Sequence, residues 1–306
     1  MLLAALHCGP AHAQDSYPAR PVRLVVPWPA GGGSDVVARI VAQPMGERLK
    51  QSIVVENRPG ANGAIGSDVV ARSPKDGYTL VWVTADTHAI NPHVYPKLTY
   101  DPRRDFAAVG IARYFPYALV ANPGFPASNI AEFTAQAKQR PGKVTFASWG
   151  IGGSSHVGME MYMQLAGIQA LHVPFQGAAP AIQAVVAGQV DSMVVPMSAA
   201  EGYVKAGKLK TLGLAAANRF AGAPDLKTMA EQGIPVNAGT WLGIMAPAGT
   251  PNEVLQTLNR ALNATIETPQ LRGTLLKINT EPSTMSVAQF KTFVDSEYDR
   301  WGKTIR

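Results

Sequence analysis

The segment Leu24 to Arg39, LVVPWPAGGGSDVVAR, decides how this chain is read, because a short apolar strand runs into three consecutive glycines and then into a helix. Gly31, Gly32 and Gly33 lack Cβ atoms, so the chain can turn sharply and a ligand can approach its backbone closely. Ser34 or Asp35 is suited to cap the helix that follows. Free N–H groups in a first helical turn, at the positive end of the helix dipole, make a seat for a carboxylate. Phosphate fits less well, since neither the Walker Lys-Ser/Thr pair nor a GxGxxG pattern is present. Taken alone, such a turn is as compatible with a tight connection as with a binding site.

Outward from this turn, apolar runs suited to buried strands alternate with amphipathic stretches. Strands are expected at residues 22–26, 53–56, 80–83, 107–112 and 117–121, with helices at 35–49, 65–71 and 88–94 between them. A second set follows the turn-rich Asn122-Pro123-Gly124-Phe125-Pro126. It has helices at 129–140, 154–166 and 178–187 and strands at 143–147, 170–173, 192–195 and 209–215. A returning strand at 241–246 and helices at 252–268 and 287–304 complete the chain. The alternation predicts an α/β fold of two lobes, with residues 14–121 and 241–306 in lobe 1 and residues 122–240 in lobe 2. Two crossings between lobes make a hinge, with the ligand site in the cleft.

The 306 residues are 46% hydrophobic and 16% charged, enough to bury a large core. Lys and Arg exceed Asp and Glu by 27 to 21, a net charge of +6, but the cations are scattered, so nucleic acid is not an expected partner. Residues 1–13 resemble a signal peptide, shortened at its start and ending at Ala11-His12-Ala13, and therefore predict export. Cys8, the single cysteine, falls within it, which leaves the mature chain without disulfides or thiolate chemistry. No later apolar run reaches the roughly 18 residues that span a bilayer. The mature protein is expected to be soluble and extracytoplasmic.

Further turns at strand ends would line such a cleft. Thr84, Asp86 and Thr87 can bond a ligand or cap the next helix. Ser148, Gly152, Gly153, Ser154, Ser155 and His156 repeat the pattern of strand, glycines, hydroxyls and helix, so that two amide cradles could face each other; His156 reads more readily as a first-turn or buried structural histidine than as a ligand contact. Phe175 is a cleft wall or a core aromatic, and Asp191 holds a ligand amine or a turn. Trp241 closes the cleft or packs the hinge.

Together, PARPVRLVVPWPAGGGSDVVAR, VVENRPGANGAIGSDVVARSPKDGYTL, THAINPHVY, YDPRRDFAAVG, VPFQGAAPA, AGQVD and WLGIMAPAGTP resemble the Bug family, the TctC-like receptors of tripartite tricarboxylate transport systems. The likeness runs in order from about Tyr17 to the C-terminus. It implies a two-lobed periplasmic binding protein, a Venus flytrap, that closes on a small carboxylate and delivers it to a membrane permease. The expected holders of the carboxylate are main-chain amides and hydroxyls of Ala30 through Ser34 and of Ser148 through Ser155, rather than an arginine clamp. The far end of the ligand would meet Thr84, Asp86, the Tyr114-Phe115 region, Phe175 and Trp241. Asp86 stands where the family pattern leads one to expect a small neutral residue, which argues against a simple dicarboxylate. Amino acids, aliphatic diacids, aromatic acids and nicotinate-like compounds all remain open as ligands.

Independently of the likeness, amides, hydroxyls and aromatics without convergent acids, bases or metal ligands describe a binding site rather than an enzyme. No GxSxG, SxxK or HExxH is present. No cofactor or metal is expected, and a monomer is the expected state. A sensor feeding a two-component system is the alternative reading, and a serine hydrolase using Ser154 or Ser155 with His156 a remote one.

Overall fold

A computed structural model describes residues 17–216, 218–220, 223–277 and 281–305, so the expected signal peptide and Cys8 lie outside the described residues. The first half of the chain holds β1 (Val22–Val26), α1 (Gly33–Leu49), β2 (Ile53–Asn57), α2 (Ala64–Ala71), β3 (Thr79–Thr84), α3 (Asn91–Val94) and β4 (Phe106–Ala121). Then come α4 (Ile130–Gln139), β5 (Thr145–Ser148), α5 (Ser154–Ala166), β6 (Leu171–Pro174), α6 (Ala178–Val186), β7 (Ser192–Pro196), α7 (Met197–Lys205) and β8 (Lys210–Ala215). The chain returns through β9 (Gly239–Pro247), α8 (Asn252–Ile266), α9 (Pro269–Lys277), β10 (Glu281–Pro282) and α10 (Val287–Ile305).

The parallel trio β2-β1-β3 continues through antiparallel β9 into β4. β3 and β9 are buried along their whole length, which is why they read as unbroken apolar runs. The other half is built from β6, β5 and β7 in parallel, joined to the far end of β4, which β8 also flanks. β4 therefore serves both halves: Phe106 to Pro116 pair with β9, and Tyr117 to Ala121 pair with β7 and β8.

Two expected strands, 107–112 and 117–121, are thus one. Pro116 reads as a break in sequence, yet it falls where β4 exchanges partners, a point at which a missing N–H costs least. Its register partner is Gly239, where β9 begins; a Cβ there would lie 2.3 Å from the Tyr114 hydroxyl, so any larger residue would have to displace that side chain. Two helices went unanticipated. α7 starts directly from β7 with Pro196 as its N-cap and no side-chain cap, and α9 follows α8 after a two-residue gap. The expected helix at 88–94 is a π-helical turn, Asp86–Ile90, leading into α3.

His88 lies in this turn, fully buried, with its ring 4.6 Å from that of Phe106 and Nδ1 2.9 Å from the Thr87 hydroxyl. Burial pushes its pKa down from 6.5 to about 3, so the folded protein keeps it neutral. The unfolded chain takes up the proton below about pH 6.5, and stability complete above that pH is lost as pH falls toward 3. The expected loss is up to about 1.4 kcal/mol per pH unit. Urea unfolding between pH 7 and pH 5 should show this slope, reduced by about one proton in His88→Gln; an equal slope in the two proteins would refute it.

Candidate ligand site

Between the two halves lies a cavity of about 320 Å³. Its floor is the sheet. Thr84 of β3, Leu242 of β9 and Arg113 of β4 share one register row, with Thr240 and Phe115 paired in a neighbouring row. Residues 28–34 form one wall, and the starts of α6 and α7 form another.

The 28–34 wall owes its shape to Asp35. Gly31 adopts φ 77°, a left-handed conformation that suits glycine, and its N–H donates to Asp35 Oδ2 at 2.8 Å. The same carboxylate accepts from Asn57 Nδ2 at 2.8 Å and from Arg39 Nε at 3.1 Å, while Asn57 Nδ2 also donates to Trp28 O at 3.0 Å. Burial alone would raise the pKa of Asp35, but Arg39, Asn57 and the Gly31 N–H outweigh it and hold the carboxyl below its ordinary range. Neither Ser34 nor Asp35 caps α1. The N-cap is Gly32, and no side chain takes up the first-turn N–H groups of α1.

The same holds on the opposite wall. α6 begins after Gly177 and α7 after Pro196, neither with a side-chain cap, and Ala178, Ala179, Ser198 and Ala199 from their first turns line the cavity. Three helix N-termini, one from the first half and two from the second, therefore meet at one space. Each contributes roughly half a positive charge. Buried polar atoms reinforce them: Trp28 Nε1, Ser34 Oγ and Thr240 Oγ1 close no full hydrogen bond among the described residues, and all three residues line the cavity. Buried donors without acceptors are rare and costly, so this set calls for an acceptor.

Arg113 is the feature that sequence reasoning missed, and it departs from the expectation of a site without arginine. It is 2% exposed, lines the cavity and lays its guanidinium 4.0 Å from the centre of the Phe115 ring. Burial lowers its pKa to about 9, which leaves it charged at neutral pH. In sequence it is one cation between two expected strands, with no spacing to mark it.

Asp86 is 3% exposed and also lines the cavity. Rather than capping its own turn, it reaches into the other half: its Oδ1 accepts the Ser154 N–H at 2.7 Å and its Oδ2 the Ser154 hydroxyl at 2.9 Å. Burial pushes its pKa up. Ser154 pulls it back, as do Trp149, whose indole N–H closes no full hydrogen bond, and Asn62.

Of the residues singled out in sequence, Ala30, Gly31, Gly32, Gly33, Ser34, Thr84, Asp86 and Phe115 come together around this cavity. The remainder do not line it. Thr87 is held inside its turn by the backbone of Thr84, at 3.1 Å. In the expected second cradle the N–H groups are satisfied internally: Gly150 by Ser148 Oγ, Gly152 by His156 Nδ1, Gly153 by Gly150 O and Ser154 by Asp86. Trp149 alone of residues 148–156 reaches the cavity. Ser148 binds His172 at 2.6 Å, and Ser155 donates to Val194 O at 2.5 Å. Gly152 and His156 border a different surface cavity beside α10. His156 Nε2 faces Glu160 at 3.3 Å, so it forms no dyad with Ser154 or Ser155.

Asp191 is a turn residue, its carboxylate accepting from Thr145 N at 2.8 Å and Oγ1 at 2.9 Å. Phe175 packs against the smaller hydrophobic core, which includes Ala147, Val185 and Val195, and its neighbours Gln176 and Gly177 line the cavity instead. Trp241 is fully buried against Phe290 and Phe293 of α10. Thr240 and Leu242, on either side of it in the strand, face the cavity, and strand alternation sends Trp241 to the opposite face.

Residues 37–306 match the profile of the tripartite tricarboxylate transporter family receptor, TctC. The chain belongs to this family. The protein BugT of Bordetella pertussis is 32% identical, covering 95% of this chain and 90% of that protein. Two solved TctC-like structures are comparably similar. R. palustris Rpa4515 with adipate superposes with a TM-score of 0.90 at 32% identity, covering 94% of this chain and 97% of that one. MatC from Rhodopseudomonas palustris, with bound malate, gives 0.88 at 32% identity over 95% and 100%.

If Asp35 is what shapes the 28–34 wall of this TctC receptor, Asp35→Ala should lower stability by about 2 kcal/mol. It should also speed hydrogen exchange at the Gly31 amide, which donates to Asp35, and at the Gly32 amide, which donates to Pro29 O. Exchange at wild-type rates in that loop would show that Asp35 is not its support.

Proposed function

We propose that this TctC-family chain is a periplasmic receptor that captures a small carboxylate between its two halves and delivers it to the membrane permease of a tripartite tricarboxylate system. One observation carries the reading: three helix N-termini without side-chain caps, drawn from both halves, meet at a single cavity. The adipate and malate in the two solved relatives support an acid ligand. The family description supports the permease as partner.

A ligand touching α1 on one side and α6 and α7 on the other stabilises the state in which the halves are together, because only that state offers all of the contacts. The hinge, on this reading, is the place where β4 and β9 cross side by side at Pro116 and Gly239. Charge-assisted hydrogen bonds contribute about 1.5–3 kcal/mol each, so a few of them suffice for micromolar affinity, near 8 kcal/mol.

Calorimetric titration of refolded protein against small carboxylates should give saturable one-site binding. Gly32→Val places a branched side chain at the N-cap of α1, where φ of −72° admits any residue and the nearest obstacle to a Cβ is Pro29 O at 3.3 Å. The variant should keep a near wild-type unfolding midpoint and lose at least a hundredfold in affinity. A folded Gly32→Val protein with unaltered affinity would remove this loop from the site.

A further inference from the structure

The cavity is uneven in charge, and this bears on what the ligand carries besides its acid group; the inference rests on the carboxylate-receptor reading above. Helix α5 is a fourth helix start behind the cavity wall, and its seat is filled by Asp86 through the N–H and hydroxyl of Ser154. Tyr117 stands 2.6 Å from the same Ser154 hydroxyl. The rings of Tyr117 and Trp149, 5.7 Å apart and nearly perpendicular, line the cavity beside this carboxylate. Across the floor, Arg113 starts from the register row of Thr84 but two strands over, roughly 10 Å away at ordinary strand spacing.

A ligand acid placed beside Asp86 would set two carboxylates together in a desolvated space, and each would oppose the charge of the other. An ammonium there meets a carboxylate and two electron-rich rings, the combination that favours organic cations. Burial already disfavours the charge on Asp86, and a cationic neighbour offsets that cost. We propose that Asp86, with Tyr117 and Trp149, is the specificity-determining end of the site and that the ligand is an aminocarboxylate. Its acid group is held by the starts of α1, α6 and α7, and its amine donates to Asp86.

The test is calorimetric titration with two series of matched length. One is 4-aminobutyrate, 5-aminopentanoate and 6-aminohexanoate; the other is succinate, glutarate and adipate. At the length that binds best, the wild-type protein should prefer the amino acid over the diacid at least tenfold. Asp86→Asn, which keeps the shape and an acceptor for Ser154, should reduce that ratio at least tenfold. Asp86→Ser should do likewise, with unfolding curves verifying that each variant is folded. A diacid bound as tightly as its amino counterpart, or a ratio that persists in both folded variants, would overturn the assignment and leave the carboxylate receptor standing. Failure of the wild-type protein to bind these or any other carboxylates would overturn the receptor reading and this inference together.

Discussion

A buried N–H without an acceptor costs a protein about 1–3 kcal/mol, and most of this chain avoids that cost by pairing its polar groups. Some of the exceptions among the described residues lie at the cavity, and others, such as the indoles of Trp82 and Trp301, lie away from it. α1, α6 and α7 begin at the cavity without side-chain caps, and Trp28, Ser34 and Thr240 bury polar atoms that close no full hydrogen bond among the described residues. The rest of the architecture keeps this set in place. Asp35 secures the turn that presents α1, and the β3-β9-β4 floor brings Thr84, Thr240 and Arg113 into one surface. The strand β4, shared by both halves, sets the α1 wall opposite the walls made by α6 and α7.

The contrast with α5 explains how one fold can keep some helix starts open and close another. Its first N–H is no less exposed to need than those of α1, but Asp86 supplies an acceptor from the other half of the molecule. That contact ties the two halves at one point and sets a carboxyl group in the cavity wall. Arg113, desolvated yet charged, supplies a cation on the far strand. Selectivity in such a site comes from where fixed charges sit, and the backbone donors supply the general attraction for an anion.

Much of the fold was legible because its signals are local. Helix α5, Ser154–Ala166, has the bounds read from sequence, since glycines precede it and Gly167 ends it in a left-handed conformation. The three-glycine turn announced the α1 wall for the same reason. What escaped were features that depend on distant partners. Pro116 reads as a strand break until Gly239 is seen beside it, and α7 carries no cap because its open N-terminus belongs to the cavity. Asp86 was visible as a departure from pattern, but its partner Ser154 lies 68 residues away. In sequence Trp241 reads as a cleft residue or as hinge packing, and only the register of β9 shows that Thr240 and Leu242 face the cavity instead.

The N–H groups at the start of α1, together with the Trp28 indole, are the proposed seat of the carboxylate. Proton–nitrogen correlation spectra, recorded while isotope-labelled protein is saturated with a binding carboxylate, test it at the atoms concerned. Downfield proton shifts at the Gly33 and Ser34 amides and at the Trp28 indole N–H, following the calorimetric isotherm, are the predicted result. Saturable binding that leaves all three signals unmoved would contradict it and direct the search for the anion seat elsewhere in the molecule.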